Sequence, residues 1–130
     1  MFDVWDFDTV TLHPYLGSES IEPFTERADR GAIIVCRTSN PGAAELQDLK
    51  MTDGCFEGTL YEHTARLASQ WNTRGNIGIV VGATYPEEMA ELRGKHPDMP
   101  FLIPGVGAQG GDVEAATRAG VNIEGRGVMI

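Results

Sequence analysis

Short apolar runs recur along the chain, and each is followed by a polar or glycine-rich segment. Runs of this length without polar alternation are typical of strands that are buried on both faces, as in a parallel sheet. A β-branched run near the start of the chain has the same character. The predicted strands cover residues 9–13, 32–36, 77–81, 101–103 and 128–130.

Helical patterns lie between these predicted strands. Residues 59–62 form a Thr-x-x-Glu capping box. The helix that follows has a stripe formed by Leu60, Thr64, Leu67, Ala68 and Trp71, and we interpret Trp71 as a core residue. A second box is predicted at 84–87, and Asp112 can cap the helix that follows it. Residues 50–58 are predicted to be irregular. The alternation of strands and helices predicts an α/β fold with a parallel sheet.

Polar side chains lie where the predicted strands end. The carboxyl ends of parallel strands share one face of an α/β sheet or barrel, so a site is expected there. These side chains are His13, Ser39, Thr84 and Gln109. We interpret Thr84 as a helix cap and His13 as a structural residue.

Composition and charge narrow the function classes. A chain of 130 residues with 42% hydrophobic content predicts one globular domain. Its net charge of −9 argues against nucleic acid or an acidic membrane surface as partner. Cys36 and Cys55 are too few for a disulfide framework, which favours a reducing cytoplasm. The cysteines and histidines show no metal-ligand spacing, no apolar run reaches membrane length, and the acidic start resembles no signal peptide.

The stretch 101–112 carries the clearest chemistry. An apolar strand is followed by Pro104, by four glycines within seven residues, and by a helix start. Glycines allow close backbone approach, and unpaired N–H groups with a helix dipole favour a phosphate. A tight strand-to-helix connection would need glycines for its dihedral angles alone. The amide side chain of Gln109 within the loop favours ligand binding.

Residues 105–110 also fit the dinucleotide fingerprint G-x-G-x-x-G, with Glu124 near the spacing of a ribose-binding acid. Such folds place the fingerprint after their first strand, whereas here most predicted strands precede it. A dinucleotide-binding oxidoreductase module is therefore an alternative with less support.

Four motifs together resemble those of the orotidine 5′-phosphate decarboxylase family, in its longer bacterial type. The resemblance covers nearly the whole chain and corresponds to the C-terminal half of the family's sequence. The motifs, in chain order, are Asp8-Thr-Val-Thr-Leu-His-Pro-Tyr-Leu-Gly17, Cys36-Arg-Thr-Ser-Asn-Pro-Gly42, Gly78-Ile-Val-Val-Gly-Ala-Thr84 with Pro86, and Pro104-Gly-Val-Gly-Ala-Gln-Gly-Gly-Asp112.

The resemblance implies a (β/α)8 TIM barrel that dimerises and converts orotidine 5′-monophosphate (OMP) to uridine 5′-monophosphate (UMP) and CO2, with no metal or organic cofactor. It implies that Ser39 hydrogen-bonds the pyrimidine ring, that Pro104 packs against the base, and that Gln109 bridges base and phosphate. The backbone of the glycine loop would hold the phosphate. Its residues in this sequence are Gly105, Gly107, Gly110 and Gly111.

The catalytic groups of the family are not matched. Its chemistry depends on an Asp-x-Lys-x-x-Asp motif after the third strand and a further lysine. This chain has two lysines, Lys50 and Lys95, and neither is predicted to follow an aspartate by two residues on a strand. The family's phosphate-binding arginine follows the eighth strand, beyond Ile130, and Arg126 precedes that strand. We therefore expect no catalytic residue within residues 1–130.

These observations predict that residues 1–130 form the C-terminal part of one barrel domain, about strands four to eight. We expect the isolated chain to be inactive and to associate with itself or with a missing N-terminal half, because two sheet edges and an inner face would be open. A non-catalytic, self-associating half-barrel that binds nucleotide phosphate is the alternative from another functional class.

Overall fold

A computed structural model describes residues 2–107 and 109–130 of the chain. The strands are β1 (Thr9–Leu12), β2 (Gly31–Arg37), β3 (Lys50–Asp53), β4 (Phe56–Thr59), β5 (Ile77–Val81), β6 (Phe101–Leu102) and β7 (Val128–Met129). The helices are α1 (Phe2–Trp5), α2 (Ser18–Thr25), α3 (Ala44–Gln47), α4 (Leu60–Trp71), α5 (Pro86–Lys95) and α6 (Val113–Gly120), with 3-10 turns at Pro14–Leu16 and Pro41–Ala43.

Five strands form one parallel sheet in the order β1-β2-β5-β6-β7. This confirms the predicted α/β fold with a parallel sheet. None of the helices in the two described ranges is long and apolar enough to cross a membrane.

The prediction that residues 50–58 are irregular is wrong, because β3 and β4 pair as an antiparallel hairpin. Asp53 pairs with Phe56, so the turn consists of Gly54 and Cys55, and Gly54 has a φ of 59°. Glycine at the first position of a two-residue turn is a recognised hairpin signal, and the sequence interpretation did not use it.

Of the three predicted helix caps, those at Thr59 and Asp112 are present and that at Thr84 is not. The box at Thr59 and Glu62 is present, with hydrogen bonds in both directions. Burial acts to raise the pKa of Glu62, but hydrogen bonds from Lys95 and Thr59 outweigh it and lower the pKa to about 2. The cap predicted at Thr84 is wrong, because α5 begins after Tyr85 and has no side-chain cap. Proline at the first helical position needs no N–H partner, which makes such a cap dispensable here.

The main core lies between the sheet and the helices. On α4 the stripe residues Thr64 and Ala68 are buried and Trp71 packs against the core as predicted, whereas Leu60 and Leu67 are half-buried. Tyr61 and Ala65, which were not assigned to the stripe, are buried as well. The strand residues in this core are Ala32, Ile34, Cys36, Ile77, Ile79, Val81 and Phe101.

The other face of the sheet is less exposed than the sequence suggested. By strand alternation Ile33, Val80 and Met129 point away from the helices. Ile33 and Val80 are nevertheless only 5% and 7% exposed, while Met129 at the edge is 41% exposed. The strands β1 and β7 are the two edges of the sheet in the described ranges.

A buried arginine joins the elements at the amino ends of β6 and β7. The guanidinium of Arg93 lies 3.8 Å from the centroid of the Phe101 ring, and burial lowers the pKa of Arg93. Because a buried cation must be compensated, the ring and the surrounding carbonyl oxygens hold it in place. It donates hydrogen bonds to the carbonyl oxygens of Gly120 (2.7 Å), His96 (3.1 Å), Pro97 (3.0 Å), Met99 (2.7 Å) and Gly127 (3.0 Å).

We predict that Arg93→Lys lowers the free energy of unfolding by about 2–4 kcal/mol, because a lysine ammonium cannot reproduce the guanidinium fork and leaves buried carbonyls unpaired. Urea denaturation measures the change. Arg118→Lys is the matched control, since Arg118 is 79% exposed and its pair with Glu114 should change stability by less than about 0.5 kcal/mol. Equal losses in the two variants would contradict this role of Arg93.

Candidate nucleotide-binding site

A β-bulge at the end of β2 sets up the site. Val35 pairs with Val80, but Arg37 pairs with Val81, so one extra residue is inserted into β2. The bulge turns Arg37 to the side that Val81 faces, where its guanidinium lies 3.9 Å from the centroid of the Tyr85 ring. The chain then leaves the sheet and reaches Ser39.

Ser39 occupies space that neighbouring glycines leave open. A Cβ on Gly82 would collide with Ser39 Oγ and would lie 2.9 Å from its backbone N. A Cβ on Gly105 would lie 2.7 Å from Ser39 Oγ and 2.7 Å from Gln109 Oε1. Ser39 Oγ also donates a long hydrogen bond of 3.5 Å to the carbonyl oxygen of Pro104. The three predicted ligand residues, Ser39, Pro104 and Gln109, therefore meet around Gly105.

The glycine loop uses its own amides. The N–H of Gly107 donates to Gly111 O at 3.1 Å, that of Gly110 to Gly107 O at 2.9 Å, and that of Gly111 to Gly105 O at 3.1 Å. Gly105, Gly107 and Gly110 have φ values of 92°, 71° and 82°, which only glycine adopts easily. Three of the four predicted phosphate donors are thus paired inside the loop, and Ala108 lies outside the described residues.

Helix α6 already has an anionic cap. Asp112 accepts a hydrogen bond from Ala115 N at 2.9 Å, as the sequence predicted. A carboxylate in this position offsets the helix dipole and would repel a phosphate placed on the same N–H groups. The exposed side-chain amide of Gln109 is a more favourable contact for an anion than this helix end.

Asp48, Lys50 and Asp53 have the Asp-x-Lys-x-x-Asp spacing, which the sequence interpretation set aside because no strand was predicted there. Lys50 does begin strand β3. The aspartates pair elsewhere, Asp48 with Arg37 at 2.8 Å and Asp53 with Arg66 at 2.8 Å. In the described part of the chain Lys50 pairs with neither, and it lines a depression beside Glu57 and Glu62 instead of contacting Ser39.

The other candidate residues have surroundings of their own. His13 lines an apolar groove of about 290 Å³ with residues of α4. The hydroxyl of Thr84 is buried and has no hydrogen-bond partner among the described residues. Both cysteines are free thiols, and burial raises the pKa of Cys36 to about 12. Within residues 2–107 and 109–130, no three metal-ligating side chains come together.

Comparison with known protein families identifies a match over nearly the whole chain. A model of the orotidine 5′-phosphate decarboxylase / HUMPS family matches residues 2–129. The chain is 54% identical over 114 residues to the orotidine 5′-phosphate decarboxylase of Halorubrum lacusprofundi, and 50% identical over 130 residues to that of a Janthinobacterium species. These alignments cover 88% and 99% of this chain but 40% and 46% of the relatives. The chain thus spans less than half the length of these curated relatives.

Solved structures also match this chain. The OMP decarboxylase of Leishmania donovani superposes with a TM-score of 0.89 at 38% identity, covering 99% of this chain and 49% of that chain. The UMP synthase of the same organism gives a TM-score of 0.91 at 41% identity, covering 99% and 28%. The parallel α/β fold therefore matches part, about half, of a decarboxylase TIM barrel.

We predict opposite effects for the same substitution at two glycines. Gly82→Ala should lower the free energy of unfolding by about 1–3 kcal/mol, because its methyl group displaces Ser39. Gly94→Ala, in α5 with no atom within 4 Å of the new Cβ, should raise it by about 0.5–1 kcal/mol. Urea denaturation of the two variants checks this, and a neutral Gly82→Ala would show that Ser39 is not confined.

Proposed function

The chain belongs to the orotidine 5′-phosphate decarboxylase family, and we propose that it forms the nucleotide-binding side of a decarboxylase barrel. In this proposal residues 1–130 are the C-terminal part of one barrel domain and contribute about strands four to eight. The parent reaction is the conversion of OMP to UMP and CO2, with no metal or organic cofactor. The convergence of Ser39, Pro104 and Gln109 around Gly105 is the observation that supports it.

The base fits the serine side of the site. The hydroxyl of Ser39 makes a 3.5 Å hydrogen bond to Pro104 O, long enough to be exchanged for a shorter bond to a pyrimidine edge. A hydroxyl both donates and accepts, so it suits the alternating N–H and C=O groups of that edge. The exposed ring of Pro104 provides an apolar surface against the base.

In this proposal the side chain of Gln109 contacts the phosphate. Three loop amides are already paired, whereas the Gln109 side chain is exposed and carries both an N–H donor and a carbonyl acceptor. These two groups suit Gln109 to contact the base and the phosphate at the same time. With a net charge of −9 and Asp112 on the adjacent helix, we expect only weak binding of a nucleotide dianion to this chain alone.

Decarboxylation needs groups that this site does not contain. A general acid must lie within hydrogen-bond reach of the atom it protonates. No described lysine lies at the Ser39–Gln109 site: Lys50 begins the hairpin and Lys95 pairs with Glu62. We infer that the Asp48–Asp53 spacing is not a catalytic array and that residues 1–130 alone bind without turnover.

The alternatives differ in their support. A non-catalytic, self-associating half-barrel would have the same Ser39–Gln109 site and differs only in lacking a complementary catalytic half. The dinucleotide-binding module is disfavoured by geometry. Glu124 follows α6 and precedes β7, so it lies near the amino ends of the strands. The glycine loop follows β6 and therefore lies at their carboxyl ends. A ribose-binding acid would lie on the loop's side.

We predict that UMP binds weakly and that uridine, without the phosphate, binds more weakly still. Gln109→Ala should weaken UMP binding by about 1–3 kcal/mol, because polar groups of the ligand lose their partner. Isothermal titration calorimetry measures these affinities. Gln70→Ala is the matched control, since Gln70 is an exposed glutamine on α4, and it should leave binding unchanged. Equal affinities for UMP and uridine would contradict phosphate recognition.

We predict no decarboxylation of OMP by residues 1–130, because neither lysine lies at the site among the residues that the structure describes. Conversion to UMP is followed by ultraviolet absorbance with protein purified from a host that lacks its own decarboxylase. Turnover that survives this purification and disappears in Ser39→Ala would contradict the proposed division of labour.

We also propose that residues 1–130 associate with themselves when studied alone. The edges at β1 and β7 present unpaired backbone groups in the described ranges, and Met129, Ile130 and Leu102 are partly exposed beside the second edge. Light scattering at micromolar concentration should therefore give a mass above 14.1 kDa. A monomer that unfolds in one sharp transition would refute this proposal.

A further inference from the structure

The residues before and after Ser39 belong to a hydrogen-bonded chain of side chains that the sequence interpretation did not identify. Gln47, at the end of α3, accepts a hydrogen bond from Thr38 N through Oε1 at 3.0 Å. Its Nε2 donates to Thr38 Oγ1 at 2.8 Å. Thr38 Oγ1 in turn donates to Asn40 Oδ1 at 2.5 Å. The residues on both sides of Ser39 are therefore held by this chain of contacts.

Arg37 favours the observed orientation of the Gln47 amide, in which the oxygen accepts from Thr38 N and the nitrogen donates to Thr38 Oγ1. Its Nη1 donates to Gln47 Oε1 at 3.5 Å and is 2.8 Å from Asp48 Oδ1. A guanidinium only donates, so it attracts the amide oxygen and leaves the amide nitrogen for the threonine hydroxyl. The guanidinium is itself buried, 2% exposed for the residue as a whole, and lies over the Tyr85 ring.

The backbone needs this support because β2 ends at Arg37. Gly82 N donates to Arg37 O at 2.8 Å, and beyond that bond the chain leaves the sheet. Ser39 must still lie over both Gly82 and Gly105, where small movements of its backbone would remove Oγ from the site. The bidentate contact of Gln47 with Thr38 supplies the missing restraint one residue before Ser39.

We propose that Gln47 is a positioning residue that holds Ser39 in place for contact with the pyrimidine base. This inference rests on the proposed function, since it assigns the base contact to Ser39. Gln47 acts through Thr38 and does not contact the ligand. It is half-buried and lies outside the main core, so its replacement should leave the fold intact.

The first test is amide hydrogen exchange at Thr38 in the ligand-free chain, measured by NMR. Gln47→Leu removes the acceptor and should speed exchange of the Thr38 amide by about tenfold or more. Gln47→Glu keeps an acceptor for both the N–H and the hydroxyl of Thr38, so exchange should stay within about twofold of the original chain. Gln70→Leu is the control on α4. Unchanged Thr38 exchange in Gln47→Leu would overturn the proposal.

The second test separates base from phosphate recognition by calorimetry with UMP and ribose 5-phosphate. Gln47→Leu should reduce the preference for UMP about tenfold, the same effect that we expect of Ser39→Ala, with ribose 5-phosphate binding within about twofold of the original. Gln47→Glu should restore the preference, which a general loss of stability would not allow.

The second test distinguishes a failure of the proposed function from a failure of the positioning role of Gln47. If the unaltered chain shows no preference for UMP, the proposed function is refuted, and the role of Gln47 in binding falls with it. If the preference exists and is lost in Ser39→Ala but retained in Gln47→Leu, the proposed function stands and the positioning role is refuted.

Discussion

Parallel strands end side by side at one edge of the sheet, and there Ser39 fills the space that side chains on Gly82 and Gly105 would occupy. Close packing makes this arrangement selective, because a single added methyl group has no room. The glycine loop closes on itself by hydrogen bonds and keeps Gln109 beside the same space. The site thus depends on the missing side chains of Gly82 and Gly105 as much as on the side chains of Ser39 and Gln109.

Two buried arginines hold this sheet to its connections in different ways. Arg93 has five carbonyl acceptors and an aromatic ring, and it joins the amino ends of the last strands to α5 and α6. Arg37 lies at the opposite edge, with Asp48 and Gln47 as partners and a tyrosine ring beneath it. The first stabilises the fold, and the second extends that order into the segment that carries Ser39.

The proposed division between binding and chemistry rests on where the charged groups lie. The pattern of Asp48, Lys50 and Asp53 has the spacing of a catalytic array, yet each aspartate has its own arginine partner. Spacing alone cannot specify chemistry, because six residues that run from the end of α3 into a hairpin have different surroundings from six residues at the end of a barrel strand. What reaches the candidate site is a hydroxyl, an amide and a proline ring, which are suited to recognition.

The amino-acid sequence by itself determined the features that depend on near neighbours. Apolar runs such as residues 77–81 predicted buried parallel strands, because burial on both faces requires apolar residues at every position. The caps at Thr59 and Asp112 were predicted because their partners lie three residues away. The proximity of Ser39 to Gln109 followed from the rule that parallel strands end at one face.

Only the tertiary structure decided the features whose partners lie far along the chain or across a connection. The five acceptors of Arg93 extend from His96 to Gly127, and the clamp of Gln47 on Thr38 closes across an intervening turn and helix. Three of the loop amides, those of Gly107, Gly110 and Gly111, donate to carbonyl oxygens of the loop itself. Such contacts follow from packing, which selects among conformations that have similar free energies as far as the local sequence is concerned. No local pattern therefore encodes them.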